Sequence, residues 1–146
     1  MRRIIFAIPV LVLLFPVSGW CSPDDEDSKL VQGVWLPTKA ELGGEKFPEE
    51  VLKTMKLTIK DDTYTVNVGD LVDKGTIKRD TKAKPKSIDI IGSEGPNKGK
   101  TFLAIYEIKD DTMRICYDLE GKKRPTEFKT DKESKYFLVE YKKSKE

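Results

Sequence analysis

The sequence predicts an all-β domain in which a single antiparallel meander, of roughly eight or nine strands, closes into a barrel. Three observations lead to this prediction. Apolar and polar residues alternate with a period of two from Leu30 onward, which is typical of half-buried strands. Polar pairs such as Asp61-Asp62, Gly69-Asp70 and Asp110-Asp111 separate the alternating segments and are typical of turns. Only one short segment resembles a helix, so no helix can serve as a crossover and the sheet must be antiparallel.

The predicted strands follow one another along the chain with short connections. The one predicted helix covers residues 48–55, where Pro48 and two acids stand at the start. The strongest strand signal covers residues 102–108, and the turn after it leads into a partner strand at 113–117. The full set of predicted strands covers residues 31–42, 57–59, 64–68, 71–79, 88–90, 102–108, 113–117, 125–128 and 136–142.

One face of nearly every predicted strand is apolar, and the other carries Lys, Thr, Asp or Glu. A meander with one apolar face can stack as a sandwich or close on itself. Closure removes the exposed strand edges, and about eight strands are enough for a small barrel. We therefore expect a barrel and keep the sandwich as the alternative.

The N-terminus has the pattern of a secretory signal. Arg2 and Arg3 precede an apolar run over residues 4–17, which is followed by small residues. A membrane-spanning helix needs about 20 apolar residues, and this run is shorter and contains two prolines. The sequence therefore predicts a signal peptide over residues 1–21, export to the periplasm or the outside of the cell, and no transmembrane segment after cleavage. A retained N-terminal anchor is the alternative.

The segment that follows, residues 22–29, is acidic and poor in apolar residues, so we expect a flexible linker before a barrel domain at 30–146. Cys21 allows a lipid anchor as a lesser alternative, because the bulky Trp20 precedes it where a small residue is expected. A disulfide between Cys21 and Cys116 requires that cleavage spares Cys21. We expect instead that Cys116 is a lone buried thiol.

Charge and composition exclude several classes of function. The chain has 27 basic and 25 acidic residues, and Arg2 and Arg3 belong to the leader, so the mature chain carries 25 of each sign. A nucleic-acid-binding protein needs a surplus of Lys and Arg, which is absent here. Histidine is also absent, which removes His-dependent catalytic triads and the commonest zinc ligand. No metal or cofactor is predicted.

Two resemblances support the barrel. The triplet Gly33-Val34-Trp35 resembles the opening of lipocalins, in which the tryptophan plugs one end of the barrel. The wider chain, from Leu30 to about Lys142, resembles an uncharacterised family of small exported domains that is numerous in planctomycete bacteria. This resemblance implies a lipocalin-like fold and an export signal, and it implies no activity. It is carried by five ordered blocks, at residues 30–35, 95–101, 105–107, 111–116 and 124–128.

The candidate site residues are polar or aromatic side chains around the predicted strands 102–108 and 113–117. Alternation places Glu107 opposite Arg114, as a cross-strand pair worth about 0.2–1 kcal/mol. Either Arg114 or Arg124 is a candidate to cover the Trp35 ring by a cation–π contact, the role that a late arginine has in lipocalins. The group can form a ligand-binding rim or can fasten the barrel end, and it comprises Trp35, Tyr106, Glu107, Arg114, Cys116, Arg124 and Glu127.

The function expected from these observations is the binding of a small, mainly apolar ligand in or at the mouth of the barrel by a non-enzymatic, monomeric protein. An open apolar cavity of about 300 Å³ or more would favour this function. A barrel filled by its own side chains would favour a structural or interaction module that binds another envelope protein. A third hypothesis, an enzyme, requires a buried carboxylate in an apolar cleft.

Overall fold

The computed structural model describes residues 23–145 of the chain. The predicted signal peptide and Cys21 lie outside the described residues. Two helices and nine strands are present in the described part: α1 (Pro23–Leu30), β1 (Gly33–Leu42), β2 (Glu45–Lys46), α2 (Glu49–Leu52), β3 (Met55–Lys60), β4 (Thr63–Val68), β5 (Leu71–Asp80), β6 (Ser87–Glu94), β7 (Thr101–Lys109), β8 (Thr112–Asp118) and β9 (Tyr136–Lys143).

The strands form a closed antiparallel barrel, as the sequence predicts. Each strand from β3 to β8 pairs with the next one along the chain, and β1 pairs with both β3 and β9, which closes the sheet. The closing pair β1–β9 runs from Trp35 opposite Lys143 to Leu42 opposite Phe137, with a bulge between Pro37 and Lys39. Strand β2 pairs only with the last residues of β1, so it is an extra strand outside the ring of eight.

The alternation in the sequence decides which side chains enter the barrel. On β3, for example, Leu57 and Ile59 are buried while Lys56 and Lys60 are exposed. On β8, Met113 and Ile115 are buried on the inner face. The interior is therefore a continuous apolar cluster, as expected for a sheet that buries one face.

The predicted acidic linker at residues 22–29 is wrong for the described residues, because Pro23–Leu30 form helix α1. Asp27 of this helix is only 5% exposed, and its carboxylate contacts Lys86 and Tyr106 of the barrel. Composition alone favours disorder in so acidic a segment, but these partners are distant in sequence and hold the helix on the barrel. The described chain thus contains two short helices where one was expected.

The predicted strand at residues 125–128 is also wrong, since no strand lies between β8 and β9. Strand β9 pairs directly with β8 on one side and with β1 on the other. Closure therefore leaves no free edge for a further strand. The segment 119–135 crosses the outer wall as a long loop instead, and it begins with turns whose backbone amides donate to the buried Asp118 carboxylate.

Candidate ligand-binding site at the open end of the barrel

An apolar cavity of about 210 Å³ lies inside the barrel. It reaches one end of the barrel, which we call the open end. The turn between β4 and β5 and the loop between β6 and β7 lie at this end. Val68, Leu71 and Leu119 line the cavity there and are partly exposed, Leu71 by 53%. The volume is below the roughly 300 Å³ at which pockets for drug-sized ligands begin, but above the roughly 150 Å³ that holds a benzene molecule.

The cavity wall is built by the inner faces of most strands of the barrel. Its side chains are mostly aliphatic, because the positions that alternate inward carry Val, Ile and Leu. The deeper wall includes Leu57, Ile59, Val66, Ile77 and Ile90. A wall of this kind favours an apolar molecule by excluding it from water, with about 0.8 kcal/mol gained for each buried methylene group.

One carboxylate interrupts the apolar wall. Asp73 lies on the inner face of β5, is 7% exposed and lines the cavity. The Tyr64 hydroxyl donates to Asp73 Oδ2 at 3.0 Å, and Asn97 donates its backbone N–H to Oδ1 and its side-chain amide to Oδ2, both at 3.1 Å. Three donors thus occupy three of the roughly four acceptor positions of this carboxylate.

Two glycines allow this arrangement. Gly75 pairs with Tyr64 across β4 and β5, and a Cβ atom there would lie 2.6 Å from the Tyr64 ring, so the missing side chain makes room for the ring. Gly95 has a φ of +90°, and a Cβ atom there would lie 2.4 Å from the carbonyl oxygen of Val72. The β6–β7 loop can therefore pack against β5 and bring Asn97 to Asp73.

The tyrosines of the cavity wall stay neutral over a wide pH range. Burial, together with the hydrogen bond to Asp73, raises the pKa of Tyr64. Burial also raises the pKa of Tyr141 to about 12 and that of Tyr117 well above its ordinary value. Among the described residues that line the cavity, Asp73 is the one Asp, Glu, Lys or Arg.

The opposite end of the barrel, which we call the closed end, is sealed by helix α1 and Trp35. The Trp35 ring is fully buried, and its indole N–H donates to the carbonyl oxygen of Val31 at 2.9 Å. Lys143 Nζ lies 5.2 Å from the centre of that ring and donates to the Leu30 carbonyl oxygen at 2.9 Å. The predicted cation–π contact of Arg114 or Arg124 with Trp35 is therefore wrong, and a lysine of β9 takes this place.

Tyr106 belongs to the same closed end. Its hydroxyl donates to Asp27 Oδ2 at 2.7 Å, and Lys86 Nζ donates to Oδ2 and Oδ1 of the same carboxylate at 2.8 and 3.1 Å. The buried acid of helix α1 therefore has both a neutral donor and a counter-charge. This contact fixes the helix across the end of the barrel.

The remaining candidates lie on the outer wall. Glu107 and Arg114 form the predicted cross-strand pair, with Nη2 and Oε2 2.7 Å apart, and the guanidinium also covers the Phe128 ring at 4.0 Å. Cys116 is a free, fully buried thiol beneath the 119–135 loop, and burial raises its pKa to about 11. The expectation of a buried free thiol at Cys116 is confirmed.

Arg124 fastens the long loop to the wall. Its guanidinium donates to the carbonyl oxygens of Ala104 and Ile88 at 2.8 and 3.3 Å, and it pairs with Asp89 at 2.6 Å. Glu127 is exposed and pairs with Lys129 at 3.1 Å. None of the seven candidates lines the cavity. Trp35 and Tyr106 meet at the closed end, whereas the other five lie outside the barrel.

The sequence analysis missed Asp73, Tyr64 and Asn97. A signal for Asp73 was present, because positions 71, 73, 75 and 77 share the inner face of β5 and an aspartate interrupts that apolar series. Asn97 lies in the 95–101 block, which contributes to the family resemblance but contains no predicted site residue. Sequence alone does not show that the loop carrying it folds back onto β5.

Comparison with known proteins supports the fold alone. The structure is similar to the crystal structure of a DUF4847 family protein from Bacteroides vulgatus, with 11% sequence identity and a TM-score of 0.51. The match covers 83% of this chain and 99% of that chain. No protein-family model and no curated protein sequence matches this chain.

Two further properties of residues 23–145 bear on partners. Neither helix there has the length and apolar character that crossing a bilayer requires. In the same residues, no three or more Asp, Glu or Cys side chains are grouped so that they could hold a metal ion.

Proposed function

We propose that this protein is an exported, non-enzymatic, lipocalin-like barrel that binds one small, mainly apolar molecule in the cavity at its open end. The observation that carries the proposal is the apolar cavity of about 210 Å³, which is lined by aliphatic side chains and reaches solvent past Leu71. Its size limits the ligand to a slender chain or a single ring system. The ligand is held by exclusion from water, and one polar group orients it.

The composition of the wall supports binding over catalysis. Asp73 meets the condition of a buried carboxylate in an apolar cleft, but it is the one acid among the described residues that line the cavity, so no second carboxylate there can share acid and base roles as in glycoside hydrolysis. Asp73 also accepts three hydrogen bonds, which occupy most of its acceptor positions. The third hypothesis, an enzyme with buried carboxylates, has less support from this wall.

The proposal can be tested by filling the cavity from within. In the Val66→Trp variant, the larger side chain occupies the cavity, because Val66 lines it from β4. Thr65→Trp is the matched control, since Thr65 is the neighbouring residue on the same strand and points to the outer face. Binding is measured by the fluorescence of 6-acetyl-2-(dimethylamino)naphthalene, a neutral dye with one ring system that brightens in apolar surroundings.

We expect wild type and Thr65→Trp to bind the dye equally, and Val66→Trp to bind it about tenfold more weakly or not at all, a loss of about 1.4 kcal/mol or more. Val68→Trp, placed at the more exposed entrance, serves as a second blocking variant if Val66→Trp does not fold. Equal binding by wild type and a folded blocking variant, or no binding by wild type, would contradict the proposal.

A second candidate function, an interaction module of the cell envelope, is favoured by the apolar side chains exposed at the open end. Leu71 and Val72 are 53% and 41% exposed and adjacent on β5. Under this alternative, Leu71→Ser weakens association with an envelope protein, while Val66→Trp has no effect because nothing enters the barrel. Leu71→Ser and Val66→Trp therefore separate the two functions, because only ligand binding predicts an effect of Val66→Trp.

A further inference from the structure

The cavity contains a buried negative charge without a counter-charge from the described protein. No Lys or Arg nitrogen of the described residues lies within 4.0 Å of the Asp73 carboxylate. None of the Lys and Arg side chains that the structure describes lines the cavity. A buried carboxylate is costly unless it is hydrogen-bonded and paired, and here only the hydrogen bonds are present.

From this we infer that the ligand carries a cationic, N–H-bearing group, such as an alkylammonium, which the Asp73 carboxylate binds while the apolar part lies among the side chains below. This inference rests on the proposed function and names the chemical class of its ligand. The carboxylate offers about four acceptor positions, of which three are used by Tyr64 and Asn97. The remaining position can accept a charge-assisted hydrogen bond, which is about twice as strong as a neutral one.

A structural role accounts for the two acceptor oxygens of Asp73 but leaves its negative charge without a counter-charge. The β6–β7 loop is closed by its own backbone hydrogen bonds, from Gly92 to Lys100 at 2.9 Å and from Gly99 to Gly92 at 3.0 Å. Tyr64 and Asn97 donate to both carboxylate oxygens, so an asparagine at position 73 would place an N–H donor against one of these donors. The hydrogen bonds thus require two acceptor oxygens, whereas a cationic ligand would supply the missing counter-charge.

The cavity also selects against anions. A carboxylate ligand would bring a second negative charge beside Asp73, with no basic side chain on the wall to offset it. A neutral ligand would gain from the apolar wall but would leave the charge of Asp73 uncompensated. The expected order of affinity for ligands with the same chain is therefore cation, then neutral alcohol, then anion.

The experiment compares octylamine, octanol and octanoate by isothermal titration calorimetry at neutral pH, where the amine is protonated and the acid is ionised. Octylamine and octanol carry the same octyl chain, so the difference between their affinities reports the head group. Octanoate has one methylene fewer outside its head group, which by itself lowers the affinity about fourfold, so its affinity is compared after that correction. For wild type we expect octylamine to bind about tenfold more tightly than octanol, and octanoate to bind most weakly. This comparison needs no variant, so it remains decisive if a substitution at position 73 prevents folding.

Asp73→Asn then assigns the preference to one residue. We expect this variant to lose the tenfold preference for octylamine over octanol. The preference is a ratio measured within the variant, so a general loss of affinity caused by a displaced β6–β7 loop affects both ligands and cancels. Asp70→Asn is the matched control, because Asp70 is an exposed acid in the turn at the same end of the barrel. That variant removes the same charge outside the cavity, and we expect it to keep the preference.

Each outcome decides a different point. Equal affinity of wild type for the three ligands, or tighter binding of octanoate, overturns the inference and leaves the apolar carrier intact. An equal loss of preference in Asp73→Asn and Asp70→Asn also overturns it, because general surface charge would then explain the effect. Binding of none of the three ligands by wild type means that the proposed function itself has failed.

Discussion

The two ends of the barrel treat buried charge in opposite ways. At the closed end, the Asp27 carboxylate is paired with Lys86 and also accepts the Tyr106 hydroxyl. At the open end, the Asp73 carboxylate accepts hydrogen bonds but no described basic side chain pairs with it. Both acids are almost fully buried, so the difference lies in their partners and not in their exposure.

The exposure of apolar side chains also differs between the two ends. Trp35 and Val31 seal the closed end and are 0% and 1% exposed. At the open end, Leu71 borders the cavity and remains in contact with solvent, and the neighbouring Val72 is also exposed. Under the proposed function, stability and ligand binding are separated along the barrel axis: changes at the closed end should cost folding free energy, and changes at the open end should cost affinity.

The largest effect is expected for Trp35→Ala. Removing a fully buried tryptophan leaves a cavity under helix α1, and we expect the free energy of unfolding to fall by about 3–5 kcal/mol. Urea denaturation followed by circular dichroism measures this change. Leu36→Ala is the control, because the neighbouring Leu36 is 44% exposed on the outer face, and its effect should be much smaller. Similar losses in the two variants would mean that Trp35 does not seal the closed end.

A smaller effect is expected for Asp27→Ala. This change leaves the buried Tyr106 hydroxyl without its acceptor and Lys86 without its counter-charge, and we expect a loss of about 1–3 kcal/mol. Faster hydrogen exchange of the Val31 amide, which donates to the Asp27 carbonyl at the end of α1, should accompany it. Glu26→Ala, on the exposed side of the same helix, is the control. If both variants lose equally little stability, Asp27 does not hold the helix.

The smallest effect on stability is expected for Leu71→Ser at the open end. Because Leu71 is half-exposed and borders the cavity, its replacement should change the free energy of unfolding by no more than about 0.5 kcal/mol. The same variant should bind 6-acetyl-2-(dimethylamino)naphthalene more weakly than wild type, since the entrance loses apolar surface. A large loss of stability with unchanged dye binding would contradict the assignment of stability to the closed end and of ligand affinity to the open end.

The candidate site could be predicted only in part, and individual residues show why. Alternation correctly places Glu107 opposite Arg114, because register follows from a short turn between two clear strands. It also places Tyr106 on the inner face, but it cannot tell which end of the barrel that position reaches. Asp73 was overlooked because its partners, Tyr64 and Asn97, come from a neighbouring strand and from a loop whose path is not encoded locally.

By itself, the sequence determined an antiparallel barrel with one apolar face, because a period of two in side-chain polarity acts through neighbouring residues and needs no distant partner. The tertiary structure alone decided that α1 is ordered, which end is sealed and where the cavity lies. These features depend on contacts such as that of Asp27 with Tyr106, 79 positions apart. Such contacts join residues that are far apart in the sequence, so no local pattern records them.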